Sequence, residues 1–195
     1  MDFIREGAIL LVNSIALGGA ARILAERDRE VRDAFPPFFV RECHENIGEA
    51  LEKGPAAAEV LMRPEFSACC LYRTQLREGG LYNALWTMGE TLGCGMLIDA
   101  ARITIRQETI ELMELVGANP YYTDSRGAHL WVTTNAARAM WALEMEGIPV
   151  SLLGILTPPP ARQIISGTKK EHIRSLDRPQ PDSLTLAPPP HDGVQ

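Results

Sequence analysis

Glu78-Gly79-Gly80-Leu81-Tyr82-Asn83-Ala84-Leu85-Trp86, followed by Gly93-Cys94-Gly95-Met96-Leu97-Ile98-Asp99, is the stretch on which the fold turns. Leu81, Leu85, Met88 and Leu92 recur at helical spacing between two glycine breaks, so one face of a helix is apolar. The run Met96-Leu97-Ile98 after Gly95 has no polar alternation, which is how a strand buried on both faces reads. A helix that hands the chain to such a strand is a unit of layered α/β structure.

The same alternation extends in both directions. Gly7 to Asn13 is a short apolar run that reads as a strand, Ala16-Leu17-Gly18-Gly19-Ala20 as a turn, and a helix follows from near Gly19 through Ile23, Leu24 and Val31. Asp33 to Pro37 interrupts it, because proline lacks a donor and restricts the residue before it. A second helix is expected from Phe38 to Lys53, a break at Gly54-Pro55, one or two helical turns over Ala56 to Met62, and a strand over Phe66 to Leu71. Downstream, Ile103-Thr104-Ile105 reads as an extended link and Gln107 to Val116 as a helix closed by Gly117. Ala128 to Thr133 is a strand, Asn135 caps a helix through Glu146, and strands follow over Ile148 to Ile155 and Arg162 to Ser166. The expected fold is α/β (α+β), a mixed β-sheet covered by helices, in one domain over residues 1–176. A proline-rich extended tail follows over 177–195.

Composition narrows the function. The net charge of −6, with Lys and Arg scattered, leaves no footprint for a nucleic-acid backbone. Acids in Met1 to Glu6 and the lack of a run near the roughly 20 apolar residues of a membrane span point to a cytoplasmic protein with no membrane partner. Cys43, Cys69, Cys70 and Cys94 form no Cys-x-x-Cys pair, and His44, His129, His172 and His191 show no metal-ligand spacing. No metal site is therefore expected, and the thiols read as reduced and mostly buried. Trp86, Trp131 and Trp141 read as packing residues, and Asp99 and Asp124 as solvated acids. Phe35, Phe38, Phe39 and Val40 around Pro36-Pro37 need burial, either in the core or against a partner.

The segments quoted first, with Ile103 to Thr109, Asn119-Pro120-Tyr121, the Ser125-Arg126-Gly127 turn and Leu143 to Ile155, resemble in order and spacing the C-terminal domain shared by AIR synthase and the hydrogenase maturation factor HypE. Val12 to Gly19 resembles the entry into that domain, so the resemblance spans roughly residues 7–176 and lies nearest the AIR synthase-related hydrogenase maturation factors. It implies an AIR synthase C-terminal-domain-like fold. Relatives of this kind have two domains, dimerise through the N-terminal half, and bind ATP and magnesium there to phosphorylate an amide or thiocarboxamide oxygen.

Set against that pattern, this sequence starts near the domain junction and has neither a P-loop nor an Asp-rich glycine loop. No cofactor is therefore expected on this chain alone, with ATP and magnesium entering only if a partner supplies the N-terminal type of domain. The family's Asp-Val-Thr-Glu-Gly-Gly cleft segment corresponds to Gln75-Leu76-Arg77-Glu78-Gly79-Gly80, its Ser-Ser-Gly to Ser125-Arg126-Gly127, its Thr-Lys to Val12-Asn13, and its Glu before glycine to Gly18. The first acid becomes an amide and Arg77 reverses the local charge, which removes a general base or metal ligand. The cysteine that ends the HypE enzymes proper is also missing from His191 to Gln195.

The candidate anion or ligand cleft is thus Arg77, Glu78, Gly79, Gly80, Ser125, Arg126 and Gly127, with Gly18 and Gly19 at a second helix start. Its ligand would be a phosphate-bearing small molecule. The expected function is a non-catalytic binding or assembly module, forming a homodimer or pairing with a larger AIR synthase-like partner. The alternative is a split subunit of an ATP-dependent dehydratase or cyclo-ligase, completed by a separate ATP-binding subunit.

Overall fold

The computed structural model describes residues 7–173; the domain boundary expected at 176 and the proline-rich stretch from 177 lie outside them. Seven strands form one mixed sheet in the order β2-β4-β1-β5-β3-β6-β7. They are β1 (Ala8–Val12), β2 (Cys70–Gln75), β3 (Gly95–Asp99), β4 (His129–Thr133), β5 (Val150–Thr157), β6 (Arg162–Ser166) and β7 (Lys169–His172). All neighbours are antiparallel except β3 and β6, which run parallel. The helices are α1 (Leu17–Glu26), α2 (Asp28–Ala34), α3 (Pro37–Met62), α4 (Pro64–Ser67), α5 (Gly80–Leu92), α6 (Gln107–Val116) and α7 (Ala136–Met145).

The apolar runs read as strands do lie inside. In β1, Ile9 and Leu11 face one cluster with α1, α5 and α6, while Leu10 and Val12 face another with the C-terminal half of α3 and α7. Trp131 of β4 is fully buried in the second cluster, edge-on to Phe66 at 6.1 Å between ring centres. Asn135 caps α7 as expected, its Oδ1 accepting from the Arg138 N–H at 3.3 Å. A bulge at Leu153 lets β5 keep Leu153 in the first cluster while the strand bends.

Several expectations are corrected. The break at Gly54-Pro55 does not occur; α3 runs 26 residues straight through it. Pro55 sits on the solvent side and removes only the bond that Leu51 would accept. Gly54 is needed instead for a tertiary contact: a Cβ there would lie 2.8 Å from the Gly127 Cα. The first helix, conversely, is split at Arg27 into α1 and α2. Phe66 is not in a strand but anchors α4, and β2 begins later, at Cys70. Strand β7, Lys169-Lys170-Glu171-His172, had no apolar signal because it is an exposed edge whose charges discourage further pairing. Trp141 is 62% exposed. Of the apolar group near Pro36, Val40 is buried, Phe35 and Phe39 pack with ring centres 4.9 Å apart and planes tilted by 41°, and Phe38 is exposed.

A cleft between two loops with a buried knot beneath it

Two loops that leave the same end of the sheet face each other. One leaves β2 at its last residue, Gln75, and carries Arg77 and Glu78 to α5; the other joins α6 to β4 and carries Asp124 and Arg126. These five side chains line an open cleft of about 560 Å3. The loops are tied through their backbones, with the Ser125 N–H donating to the Arg77 carbonyl at 3.4 Å and the Leu76 N–H to the Ala128 carbonyl at 2.8 Å. The structure therefore brings together Arg77, Glu78 and Arg126, which are separated by up to 49 positions in sequence.

Each glycine of the candidate set has a definite steric task. Gly79 (φ 85°) and Gly80 (φ 65°) both take the left-handed conformation at the start of α5, where a side chain is strained. A Cβ on Gly80 would also lie 2.5 Å from the Tyr121 carbonyl oxygen. Gly18 and Gly19 begin α1 beneath the second loop. A Cβ on Gly18 would meet the Asp124 carboxylate at 2.7 Å, and the Gly19 N–H donates to the Asp124 backbone carbonyl at 2.9 Å. The protein itself thus covers this helix start.

Asp124, expected to be solvated, is buried. Its carboxylate accepts from the Arg126 Nε at 2.7 Å and Nη2 at 2.6 Å, and from the Arg126 backbone N–H at 3.0 Å. The hydrogen bond and charge of Asp124 hold the Arg126 guanidinium more firmly protonated still. Arg126 nevertheless keeps 62% of its side chain exposed toward the cleft, so it is both aimed and available. Arg77 reaches the Gln75 Oε1 only at 3.5 Å.

Ser125 does not face the cleft. Its hydroxyl is fully buried, accepts from the Ala16 N–H at 2.8 Å and donates to the Thr123 carbonyl at 2.9 Å. Asn13, present in the sequence argument only as a replaced family position, turns out to be the centre of the knot below. Its Nδ2 donates to the Ala50 carbonyl at 2.6 Å and the Gly127 carbonyl at 2.9 Å, and its Oδ1 accepts from the Ser14 N–H. Asn13 (φ 68°) and Ala16 (φ 60°) are both left-handed without being glycine, a strain of about 1 kcal/mol or more each that the surrounding contacts must hold. Asparagine tolerates that conformation better than most residues, and that was the one signal the sequence carried. His129 completes the knot, its ring Nε2 3.0 Å from the Gly54 carbonyl, and burial pulls its pKa below 6.5.

The remaining sulfur and metal expectations have plain structural positions. Cys43 and Cys94 are buried, Cys69 and Cys70 are half-buried, and all four are free. Burial, helped by Glu108, pushes the Cys43 thiol up to about 11. Among the described residues no three His, Cys, Asp or Glu side chains gather as a metal-binding group, and no helix is long and apolar enough to cross a membrane.

No family model matches the chain. Over 126 residues, 64% of this chain and 33% of the relative, it is 28% identical to the carbamoyl dehydratase HypE of Rhodobacter capsulatus. Its fold superposes on the crystal structure of Escherichia coli HypE with a TM-score of 0.66 at 13% identity, covering 92% of this chain and 53% of that one. HypE solved in complex with ATP gives 0.63 at 15% identity, covering 90% and 52%. Thermotoga maritima PurL with ATP gives 0.56 at 12% identity, covering 88% and 26%. The chain spans a third of its curated relative and about half of the HypE structures. Sequence and fold together bear out the resemblance: the chain is similar in sequence to a HypE, and its mixed α/β sheet matches about half of a HypE molecule.

Proposed function

We propose that this chain is a cytoplasmic binding and assembly module of the HypE-like type, non-catalytic by itself, which receives an anionic, phosphate-bearing group between Arg77 and Arg126 while joined to a second copy or a larger AIR synthase-like partner. One observation carries the reading: the groups nearest to doing chemistry are already committed to each other. The Ser125 hydroxyl has one donor and one acceptor contact and no exposure, and the Asp124 carboxylate accepts three bonds from Arg126. What projects into the cleft is an arginine pair with Glu78 and the amide of Gln75, and a guanidinium fork suits a phosphate or carboxylate without transferring a proton. Gly18, Gly19 and Gly127 shape the floor on this reading, and Gly79 with Gly80 the rim.

The second reading, a subunit of an ATP-dependent dehydratase or cyclo-ligase completed by an ATP-binding domain, draws support from the sequence match to a carbamoyl dehydratase and the fold match to a HypE bound to ATP. Thermal-shift titration with inorganic phosphate, ADP and magnesium ATP, beside light scattering for mass, separates the two. A shift with phosphate and both nucleotides, lost in Arg126→Ala, together with a dimer or larger mass supports the module. A shift that requires magnesium ATP and leads to ATP turnover by the chain overturns it.

A further inference from the structure

The sheet has two outer edges, and they are finished in opposite ways. At one end β7 presents Lys169-Lys170-Glu171-His172, all four exposed, a run of charge that discourages a further strand. At the other end β2 reads Cys70-Leu71-Tyr72-Arg73-Thr74-Gln75, with a single charge, no proline, and an aromatic and a β-branched residue suited to pairing. Among the described residues no strand lies beyond it. The phase of its ladder follows from Leu76, whose N–H donates inward to the Ala128 carbonyl at 2.8 Å. Antiparallel residues alternate between bonding the neighbouring strand and turning away from it. With Leu76, Thr74 and Tyr72 turned toward β4 in an unbroken register, the N–H and C=O of Arg73 and Gln75 point off the sheet. Of these four groups, only the Gln75 carbonyl has a described partner, the Thr74 hydroxyl at 3.3 Å.

Beside this edge runs a groove of about 310 Å3 between Leu61 and Met62 of α3 and Arg73, Thr74 and Gln75 of β2, with Met62 56% exposed. The edge is complementary to itself. A two-fold axis through Thr74 sets Thr74 opposite Thr74 and Arg73 opposite Gln75, so the outward-turned N–H and C=O groups of both strands all enter hydrogen-bonded pairs. Facing threonines are a favourable cross-strand pair, and no like charges stand opposite. An axis through Arg73 would instead set guanidinium against guanidinium. Six residues at ~3.3 Å and a sheet thickness of ~10 Å give the edge about 200 Å2 per copy. That is a quarter of the roughly 800 Å2 per partner of a stable interface, so even with Met62 covered the pairing belongs to the weak, concentration-dependent class.

We propose that β2 is a pairing edge, at which a second copy of this chain adds its own β2 antiparallel across a two-fold axis at Thr74 and makes one continuous sheet. This rests on the assembly reading above and names the surface that reading leaves open. Arg73→Pro tests it, because proline there removes only an outward N–H and spares the ladder to β4, whereas Arg73→Ala keeps that N–H. In light scattering over roughly 1–500 µM, the unmodified chain and Arg73→Ala should pass from monomer to dimer, and Arg73→Pro should raise the dissociation constant about ten-fold or more. A chain that stays monomeric throughout, or a dimer that Arg73→Pro leaves unchanged, overturns the proposal. The phosphate-dependent thermal shift of Arg73→Pro reports on the cleft separately, so its survival would leave the module reading standing when the pairing edge falls. A second variant covers the case in which Arg73→Pro does not fold. Thr74→Cys, with Cys69→Ser and Cys70→Ser, should give a disulfide-linked dimer on mild oxidation, because facing residues of a non-hydrogen-bonded pair bring their Cβ atoms to about 5 Å. Ser67→Cys in the same background, away from the axis, should not. Failure of Thr74→Cys to crosslink, or equal crosslinking at both positions, also sinks the idea.

Discussion

The rim of the cleft and the knot beneath it are built on opposite principles. At the rim, Arg77, Glu78 and Arg126 are exposed and few; in the knot, Asn13, Ser14, Ser125 and Thr123 are buried polar residues, and the side chains of Asn13, Ser125 and Thr123 all have hydrogen-bond partners. A buried polar group must be satisfied or it costs stability, whereas an exposed one is free to be exchanged. The rim is thus where a relative's chemistry can be rewritten at little cost, and the knot is where the fold is held. The arginines at positions 77 and 126, set against the resemblance, lie on the replaceable side of that divide.

The sharpest way to break the contrast is Asn13→Ala. It removes the amide that bridges the Ala50 and Gly127 carbonyls and places alanine at a left-handed φ, so a loss of about 3 kcal/mol is expected in urea unfolding; a loss under about 1 would mean the knot carries little. Gly54→Ala comes next, at about 2 kcal/mol despite alanine's better helix propensity, since the Gly127 backbone cannot move aside as a side chain would. Ser125→Ala should cost about 1.5 kcal/mol by the same measurement, leaving the Ala16 N–H buried without its acceptor.

A smaller effect tests the floor by pH. Because burial depresses the His129 pKa, the unfolded chain binds the extra proton first as pH falls below 6.5, and stability declines from there down through the folded-state pKa. Thermal melts at pH 7.5 and 5.5 should show that decline, and His129→Gln should reduce it. The rim should give the smallest change in stability: Arg77→Ala is expected to stay within about 1 kcal/mol, because its side chain is exposed and reaches the Gln75 Oε1 only at 3.5 Å. The same variant should abolish the phosphate-dependent thermal shift. If instead it unfolded the protein, rim and knot would not be separable.

Local chemistry made half of this legible in advance. The strands β1, β3 and β4, the helices α5 and α6 and the Asn135 cap announced themselves through apolar runs, period and capping, all properties of neighbours in sequence. Gly54-Pro55 misled because its glycine answers to Gly127, more than seventy positions away, and no local rule sees that contact. Asp124 looked solvated for the same reason: its burial depends on Gly18 having no side chain. The rim residues could be named from the resemblance, but the hydrogen bonds of Asn13 could only be seen once α3 was laid against the turn at Gly127.

That crossing of Gly54 and Gly127 gives the long helix a fulcrum. Twenty-six residues make a rod about 39 Å long at ~1.5 Å each, and Gly54 stands roughly two-thirds of the way along it. Arg126 is bonded directly to the residue on which the rod rests. The longer arm runs about 25 Å from this crossing to the exposed Phe38, so the contact that fixes where the rod crosses the domain lies far from the end that meets solvent.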